Sequence, residues 1–128
     1  MELPLQRLSS NLVVPDTNIL IYSVKQHIDL KWELSRRIGK FRMVMLSCVK
    51  QELEGLSRSM QEASVALTLY GDIEAVKVEG SGDTCIVNQC VRLSGILITN
   101  DRNLAKTVKN KGLPVLNIRD GRSLEWYR

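Results

Sequence analysis

Four acidic side chains lie where this sequence could support chemistry: Asp16, Glu52, Asp83 and Asp101. Two of them closely follow short apolar runs, since Asp16 lies two residues after Leu12–Val14 and Asp101 lies three residues after Ile96–Ile98. Glu52 follows another apolar run, and Asp83 stands at the start of a predicted helix. Carboxylates that converge without basic partners repel one another, so such a cluster is stable mainly when cations occupy it.

The ligand types indicate which cation would fit. A set of oxygen ligands without His or Cys suits Mg²⁺ or Mn²⁺ rather than Zn²⁺. The chain has one histidine, His27, and three cysteines whose positions do not form a zinc motif. Magnesium held by carboxylates typically acts on phosphates, where it lowers the pKa of a water nucleophile and stabilises charge on the leaving oxygen.

Each acid taken alone also has a structural explanation. Aspartate is among the best helix N-caps, and the helix dipole favours it in the first turn. Glu52 lies about 60° from Val49 on a helical wheel, so it could be an ordinary residue at the border of an apolar stripe. Glu54 falls on the opposite side of that helix and is expected to face solvent.

The elements that would position these acids alternate between short apolar runs and helical patterns. The five runs are Leu12–Val14, Met43–Leu46, Glu74–Val78, Ile96–Ile98 and Val115–Ile118. Four of them are almost continuously apolar, as in parallel strands that are buried on both faces, while Glu74–Val78 suits an edge strand. This alternation predicts a doubly wound α/β sheet, in which ligands bind beyond the carboxyl ends of the strands.

Length and composition limit the class of protein. The 128 residues, 44% of them hydrophobic, predict one globular domain over residues 1–128 with a core of about residues 11–119. No apolar run is long enough to span a bilayer, and the N-terminal MELPLQRLSS does not resemble a signal peptide. We therefore expect a cytoplasmic protein without membrane contact, with its three cysteines as free thiols.

Basic residues are concentrated in two stretches, residues 25–42 and residues 102–128, although the net charge is only +4. These stretches are either solvated faces or a surface for a polyanion. The candidates for contact with a nucleic-acid backbone are Lys50, Arg102, Lys106 and Lys109. Trp126 and Tyr127 could stack on bases, or they could pack on the body of the protein or on a dimer mate.

Four segments together resemble the PIN domain family: VVPDTNILIY (residues 13–22), VKQELEGL (49–56), GDTCIVNQC (82–90) and TNDRNL (99–104). Each motif is short, but their order, and the strand or helix on which each falls, match the family from about residue 11 to residue 119. The sequence is particularly similar to compact stand-alone PIN proteins of archaea, which are related to ribosome-processing nucleases and to toxin-type ribonucleases.

The resemblance implies a three-layer α/β/α sandwich with a five-stranded parallel sheet in the order 3-2-1-4-5. It also implies a metal-dependent endoribonuclease that leaves a 5′-phosphate and a 3′-hydroxyl. Asp16, Glu52, Asp83 and Asp101 would hold one or two Mg²⁺ or Mn²⁺ ions, with Thr99 and Asn18 supporting them. Relatives often carry two acids in a row at the third position, where this chain has Asp83-Thr84.

Several questions of partnership and class stay open. RNA is the implied substrate, and a homodimer and an antitoxin or ribosome-processing partner are plausible among such proteins. A catalytically silent PIN-fold scaffold that binds RNA or protein is the alternative function. A receiver domain is disfavoured because no lysine follows the fifth strand, and a dehalogenase-type phosphatase is disfavoured because Asn18 stands where a second aspartate would be needed.

Overall fold

The computed structural model describes residues 11–128. The N-terminal segment 1–10, in which the sequence predicts no leader, lies outside the described residues. The strands are β1 (Asn11–Pro15), β2 (Phe41–Leu46), β3 (Glu74–Val76), β4 (Ile96–Ile98), β5 (Val115–Arg119) and β6 (Ser123–Trp126). The helices in this range are α1 (Thr17–Lys25), α2 (Leu30–Ile38), α3 (Ser47–Leu56), α4 (Gln61–Leu69), α5 (Gly82–Leu93) and α6 (Arg102–Asn110).

The strands form one sheet in the order β3-β2-β1-β4-β5-β6. The first five are parallel, and β1 lies between β2 and β4, where Val13 pairs with Met43 on one side and Ile96 on the other. The predicted α/β fold and the order 3-2-1-4-5 are confirmed. The short strand β3 is the edge strand, as the alternating pattern of its sequence predicted.

The predicted number of five strands is wrong, because the chain continues into a sixth, antiparallel strand. The turn between β5 and β6 contains Asp120 and Gly121, whose φ angles are 57° and 62°. The Arg122 amide donates to the Arg119 carbonyl over 3.1 Å and closes this turn. Asp-Gly with two positive φ angles is typical of a tight hairpin, so the signal for β6 was present in the sequence.

The apolar core explains why the central strands are continuous hydrophobic runs. Val13, Val14, Leu97 and Ile98 are completely buried in the middle of the sheet. Burial on both faces leaves the strand ends as the places where polar side chains can reach solvent. In residues 11–128 no helix is both long and apolar enough to cross a membrane.

The cysteines differ from the sequence-based expectation. Cys48 on α3 and Cys85 on α5 form a disulfide across a sequence separation of 37, whereas both were expected to be free thiols. Cys90 is free and buried, and its burial raises the pKa of the thiol to about 12. A thiol with such a pKa stays protonated near neutral pH, which makes thiolate chemistry at Cys90 unavailable.

Candidate active site

A continuous hydrogen-bond network links the ends of β1 and β4. Asp16, directly after β1, accepts a bond from the Ile19 amide at 2.7 Å and thereby caps α1. The hydroxyl of Thr99, which is completely buried, donates to the other carboxylate oxygen of Asp16. Thr99 Oγ1 accepts in turn from the Asp101 amide at 3.0 Å. Because β1 and β4 are neighbours in the sheet, the Asp16 side chain and the Asp101 backbone amide both hydrogen-bond to the hydroxyl of Thr99.

The electrostatics of Asp16 set it apart from the other acids. The side chain is only 5% exposed, and burial, the largest cause, raises its pKa from 3.8 to about 6. The bonds from Thr99 and Ile19 act in the opposite direction, while the charges of Asp101 and Asp83 raise the pKa further. The ionised form of Asp16 is therefore disfavoured by its surroundings, and a nearby cation would relieve this.

Asp101 lies on the surface and caps α6. Its Oδ1 accepts from the amides of Asn103 and Leu104 at 2.9 and 3.2 Å. The preceding residue, Asn100, accepts from the Ile118 amide at 2.9 Å and so fastens the loop to β5. This bracing role of Asn100 was not predicted, because its partner lies 18 residues later in the chain.

Glu52 is linked to the site by a hydrogen bond from a residue that was not predicted to belong to it. The Thr17 hydroxyl, in the first turn of α1, donates to Glu52 Oε1 at 2.6 Å. Thr17 is buried and directly follows Asp16, whereas Glu52 is exposed on α3. The sequence indicates this contact only by a hydroxyl residue next to Asp16. Its partner, Glu52, lies 35 residues away, and the two meet only because of how α1 and α3 pack.

Asp83 lies in the first turn of α5, exposed to solvent. The N-cap of this helix is Ser81, so Asp83 is not the capping residue. Its charge nonetheless acts on buried Asp16. The disulfide fixes the approach of this helix, because Cys85 follows Asp83 by two residues and Cys48 precedes Glu52 by one helical turn.

The donor set fits a divalent cation with limited direct ligation. Within residues 11–128, no three His, Cys, Asp or Glu side chains come close enough to form a complete metal site. Mg²⁺ keeps several of its waters and is usually held by only one or two carboxylates together with substrate phosphates. Asp16 can serve as such a carboxylate ligand, because each of its oxygens has a second lone pair available. The charges of Asp83 and Asp101, which raise the pKa of Asp16, favour a cation beside it.

The other candidate residues are distributed around this site. Asn18 is exposed in the first turn of α1 and Lys50 is exposed on α3. Arg102 and Lys106 lie one turn apart on α6 and line one polar recess. Lys109, near the end of the same helix, donates to the Tyr127 carbonyl at 3.2 Å.

A larger cleft lies away from the four acids. It has a volume of about 730 Å³ and runs between the α1–α2 connection and α4, with His27, Val65 and Leu69 in its walls. None of the four carboxylates lines it. His27, one of its lining residues, is exposed.

Comparisons with known proteins agree with this fold. A family profile described as PIN like domain matches residues 13–121. Ribonuclease VapC9 of Archaeoglobus fulgidus is 36% identical over 107 residues, which cover 80% of this chain and 78% of that protein. Ribonuclease VapC4 of Methanocaldococcus jannaschii is 30% identical over 125 residues, which cover 90% and 95%. The solved structure of the PIN domain endonuclease Utp24 superposes with a TM-score of 0.78 at 26% identity, covering 91% of each chain.

Proposed function

This chain belongs to the PIN-like domain family, and we propose that it is a metal-dependent endoribonuclease whose site consists of Asp16, Glu52, Asp83 and Asp101. The observation that carries the proposal is the state of Asp16. It is a buried carboxylate at the carboxyl end of the central strand, and two further acids raise its pKa. The ribonuclease names of two relatives that match most of the chain support the same activity.

The residues of the site would divide the work. Asp16, Asp83 and Asp101 would hold one or two Mg²⁺ or Mn²⁺ ions, partly through waters that the ions keep, since no three acidic side chains of the described residues form a closed ligand cluster. A bound ion would supply charge stabilisation on the phosphodiester and a water of lowered pKa. Thr99 fixes Asp16 in the required orientation by donating to its carboxylate. Asn18, which is exposed beside these residues, would support the site from the first turn of α1.

Glu52 has a different role from the three aspartates. Thr17 donates to one of its oxygens, which orients the carboxylate toward the strand ends while the rest of Glu52 remains exposed. In that position Glu52 would either bind a second ion or orient the attacking water. In-line attack by this water on the phosphodiester would leave a 5′-phosphate and a 3′-hydroxyl.

The test is cleavage of single-stranded RNA by the purified protein in Mn²⁺, in Mg²⁺ and in EDTA. We expect cleavage only with metal, and its loss in Asp16→Asn, which keeps the cap of α1 because asparagine is an equally good N-cap. Glu52→Gln should lower the rate strongly, whereas Glu54→Gln, an equal charge change at an exposed position of the same helix, should not.

Two outcomes would contradict this proposal. Cleavage that persists in EDTA and in Asp16→Asn would exclude the mechanism. RNA binding without cleavage in any metal would favour the alternative of a catalytically silent scaffold. A role in ribosomal RNA processing and a role as a toxin both remain compatible with cleavage itself, and the products formed from cellular RNA would separate them.

The remaining expectations concern the context of the enzyme. We propose that residues 1–128 act as one domain in the cytoplasm. We also propose a homodimer and a partner protein, either an antitoxin or a ribosome-processing factor. The candidate site itself requires neither. The mass of the purified protein in solution, alone and after co-purification, tests both.

A further inference from the structure

The polar recess lined by Arg102 and Lys106 begins one residue beyond the acidic site. It has a volume of about 500 Å³ and lies between α6, strand β5 and the residues after β6. Arg102, the first residue of its wall, directly follows Asp101. A ligand in this recess would therefore lie next to the proposed cleavage site.

The charge of the recess is one-sided. Arg102, Lys106, Arg119 and Arg128 line it, and none of its lining residues is acidic. The ion pairs found within residues 11–128 involve other cations. Across the strand pair Asn117 faces Glu125, whose carboxylate pairs with Arg37. Like charges held around a concave surface raise its energy unless an anion binds there, so the recess favours a phosphate.

Asn117 adds a polar group without a partner. Its Oδ1 is buried and accepts no hydrogen bond from any described residue. Asn117 and Arg119 lie two residues apart on β5, so both side chains project from the same face of the strand toward the recess. An unpaired buried amide oxygen is costly, and a donor on a bound ligand would satisfy it.

The sixth strand builds this recess. It pairs with β5 from Leu116–Trp126 to Arg119–Ser123 and carries the chain back toward α6. The amide of Tyr127 donates to the Val115 carbonyl at 2.8 Å, and the Tyr127 carbonyl accepts from Lys109. These backbone bonds hold Tyr127, which also packs partly against the core, at the wall of the recess. An aromatic ring beside cations is the combination that binds a nucleotide of a single strand.

We propose that this recess binds one nucleotide of the RNA strand adjacent to the bond that is cut. Arg102, Lys106 and Arg119 contact its phosphate, while the Asn117 amide and the Tyr127 ring contact its base. The inference rests on the proposed ribonuclease function and adds to it a place for the strand. It also assigns a role to residues near the C-terminal end of the chain, which follow the four segments that resemble the PIN domain family.

The experiment measures binding of a fluorescent RNA octanucleotide to the full chain by anisotropy in Mg²⁺. Every protein carries Asp16→Asn so that the strand stays intact, which a gel verifies. We expect Lys106→Ala/Arg119→Ala to raise Kd by about tenfold or more, because two charge-assisted contacts are lost. Lys111→Ala/Arg122→Ala, which removes two exposed positive charges outside the recess, is the matched control and should change Kd less than about twofold.

A second variant separates ligand binding from folding. Asn117→Leu should raise Kd by about tenfold while leaving the melting temperature unchanged or higher, because it removes an unsatisfied buried oxygen. A lower melting temperature with unchanged Kd would assign Asn117 a structural role and overturn its part in the proposal. Equal Kd values for Lys106→Ala/Arg119→Ala and Lys111→Ala/Arg122→Ala would overturn the recess as a binding site.

Further outcomes distinguish a free nucleotide from an RNA strand as the ligand of the recess. They also separate the nuclease proposal from the proposal about the recess. If AMP bound as tightly as the octanucleotide, the recess would be a site for a free nucleotide, and the assignment to a strand would be wrong. Without the Asp16→Asn background, absence of cleavage together with the expected Kd changes would refute the nuclease proposal alone. Metal-dependent cleavage with unchanged Kd values would refute the recess alone.

Discussion

Asp16 is the one buried carboxylate among the four candidate acids. Asp16 combines two roles, since it caps α1 through the Ile19 amide and stands beside the charges of Asp83 and Asp101. The capping explanation and the functional explanation, which were alternatives in the sequence, are therefore compatible in one residue. One oxygen of Asp16 accepts from a backbone amide and the other from the Thr99 hydroxyl, and both retain a further lone pair.

The raised pKa of Asp16 predicts how the stability of the metal-free protein depends on pH. Between about pH 4 and pH 6 the folded protein keeps the Asp16 proton while the unfolded chain loses it, so the free energy of unfolding falls as the pH rises. The difference between 3.8 and about 6 corresponds to about 3 kcal/mol, present below pH 4 and lost above pH 6. Chemical unfolding in EDTA across this range measures it.

Asp16→Asn provides the control for that prediction. The variant lacks the titrating group but keeps the cap, so above pH 6 it should be more stable than the wild type in EDTA, and below pH 4 the two should agree. Added Mg²⁺ should stabilise the wild type only. A wild type that loses no stability relative to this variant between pH 4 and pH 7 would contradict the assignment.

At the scale of elements, the disulfide connects the two helices that carry the outlying acids. Cys48 on α3 lies four residues before Glu52, and Cys85 on α5 lies two residues after Asp83. The helices are not neighbours in sequence, so the bond restrains the distance between two acids that the sheet alone does not fix. Asp16 and Asp101 have no such need, because the strands β1 and β4 already place them.

Removing this crosslink should therefore lower stability. A disulfide that closes a loop of this length, with its cysteines 37 residues apart, contributes about 4 kcal/mol in the chain-entropy model. We expect protein refolded in reductant to melt at a clearly lower temperature than oxidised protein. In Cys48→Ala/Cys85→Ala the melting temperature should no longer respond to reductant. Identical melting curves for oxidised and reduced wild type would contradict the prediction.

At the scale of the whole molecule, the net charge conceals two opposite regions. Removing the four acids of the candidate site from the 14 leaves ten acids against 18 basic residues, a balance of +8. The recess between α6 and β5 is the place where four of those basic residues converge. A cationic surface beside an acidic site attracts a polyanion and directs it toward the proposed metal ions.

This distribution predicts a strong salt dependence of RNA binding. For single strands, the logarithm of the affinity should fall with the logarithm of salt concentration, with a slope of about −0.7 for each phosphate contacted. The one phosphate held in the recess would contribute about −0.7, and each further phosphate that contacts the basic surface would add about the same amount. Titrations of labelled RNA at several KCl concentrations measure this slope, and an affinity independent of salt would exclude the basic surface as the contact region.

The sequence by itself determined the architecture and the four candidate acids. Continuous apolar runs such as Ile96–Ile98 favour burial on both faces, as in a parallel sheet between helices, and acids after β1 and β4 then meet at one edge. These patterns are local, because the residues of each strand reflect how that strand is buried. The hairpin to β6 was also encoded locally, in Asp120-Gly121, although the prediction stopped at five strands.

Only the tertiary structure decided which side chains meet across the fold. The bond from Thr17 to Glu52, the pairing of Cys48 with Cys85 and the unpartnered amide of Asn117 each depend on the packing of separate elements. The physical reason is that a helix or strand determines the direction of its side chains from its own period, whereas its neighbour is determined by how all elements fill one core.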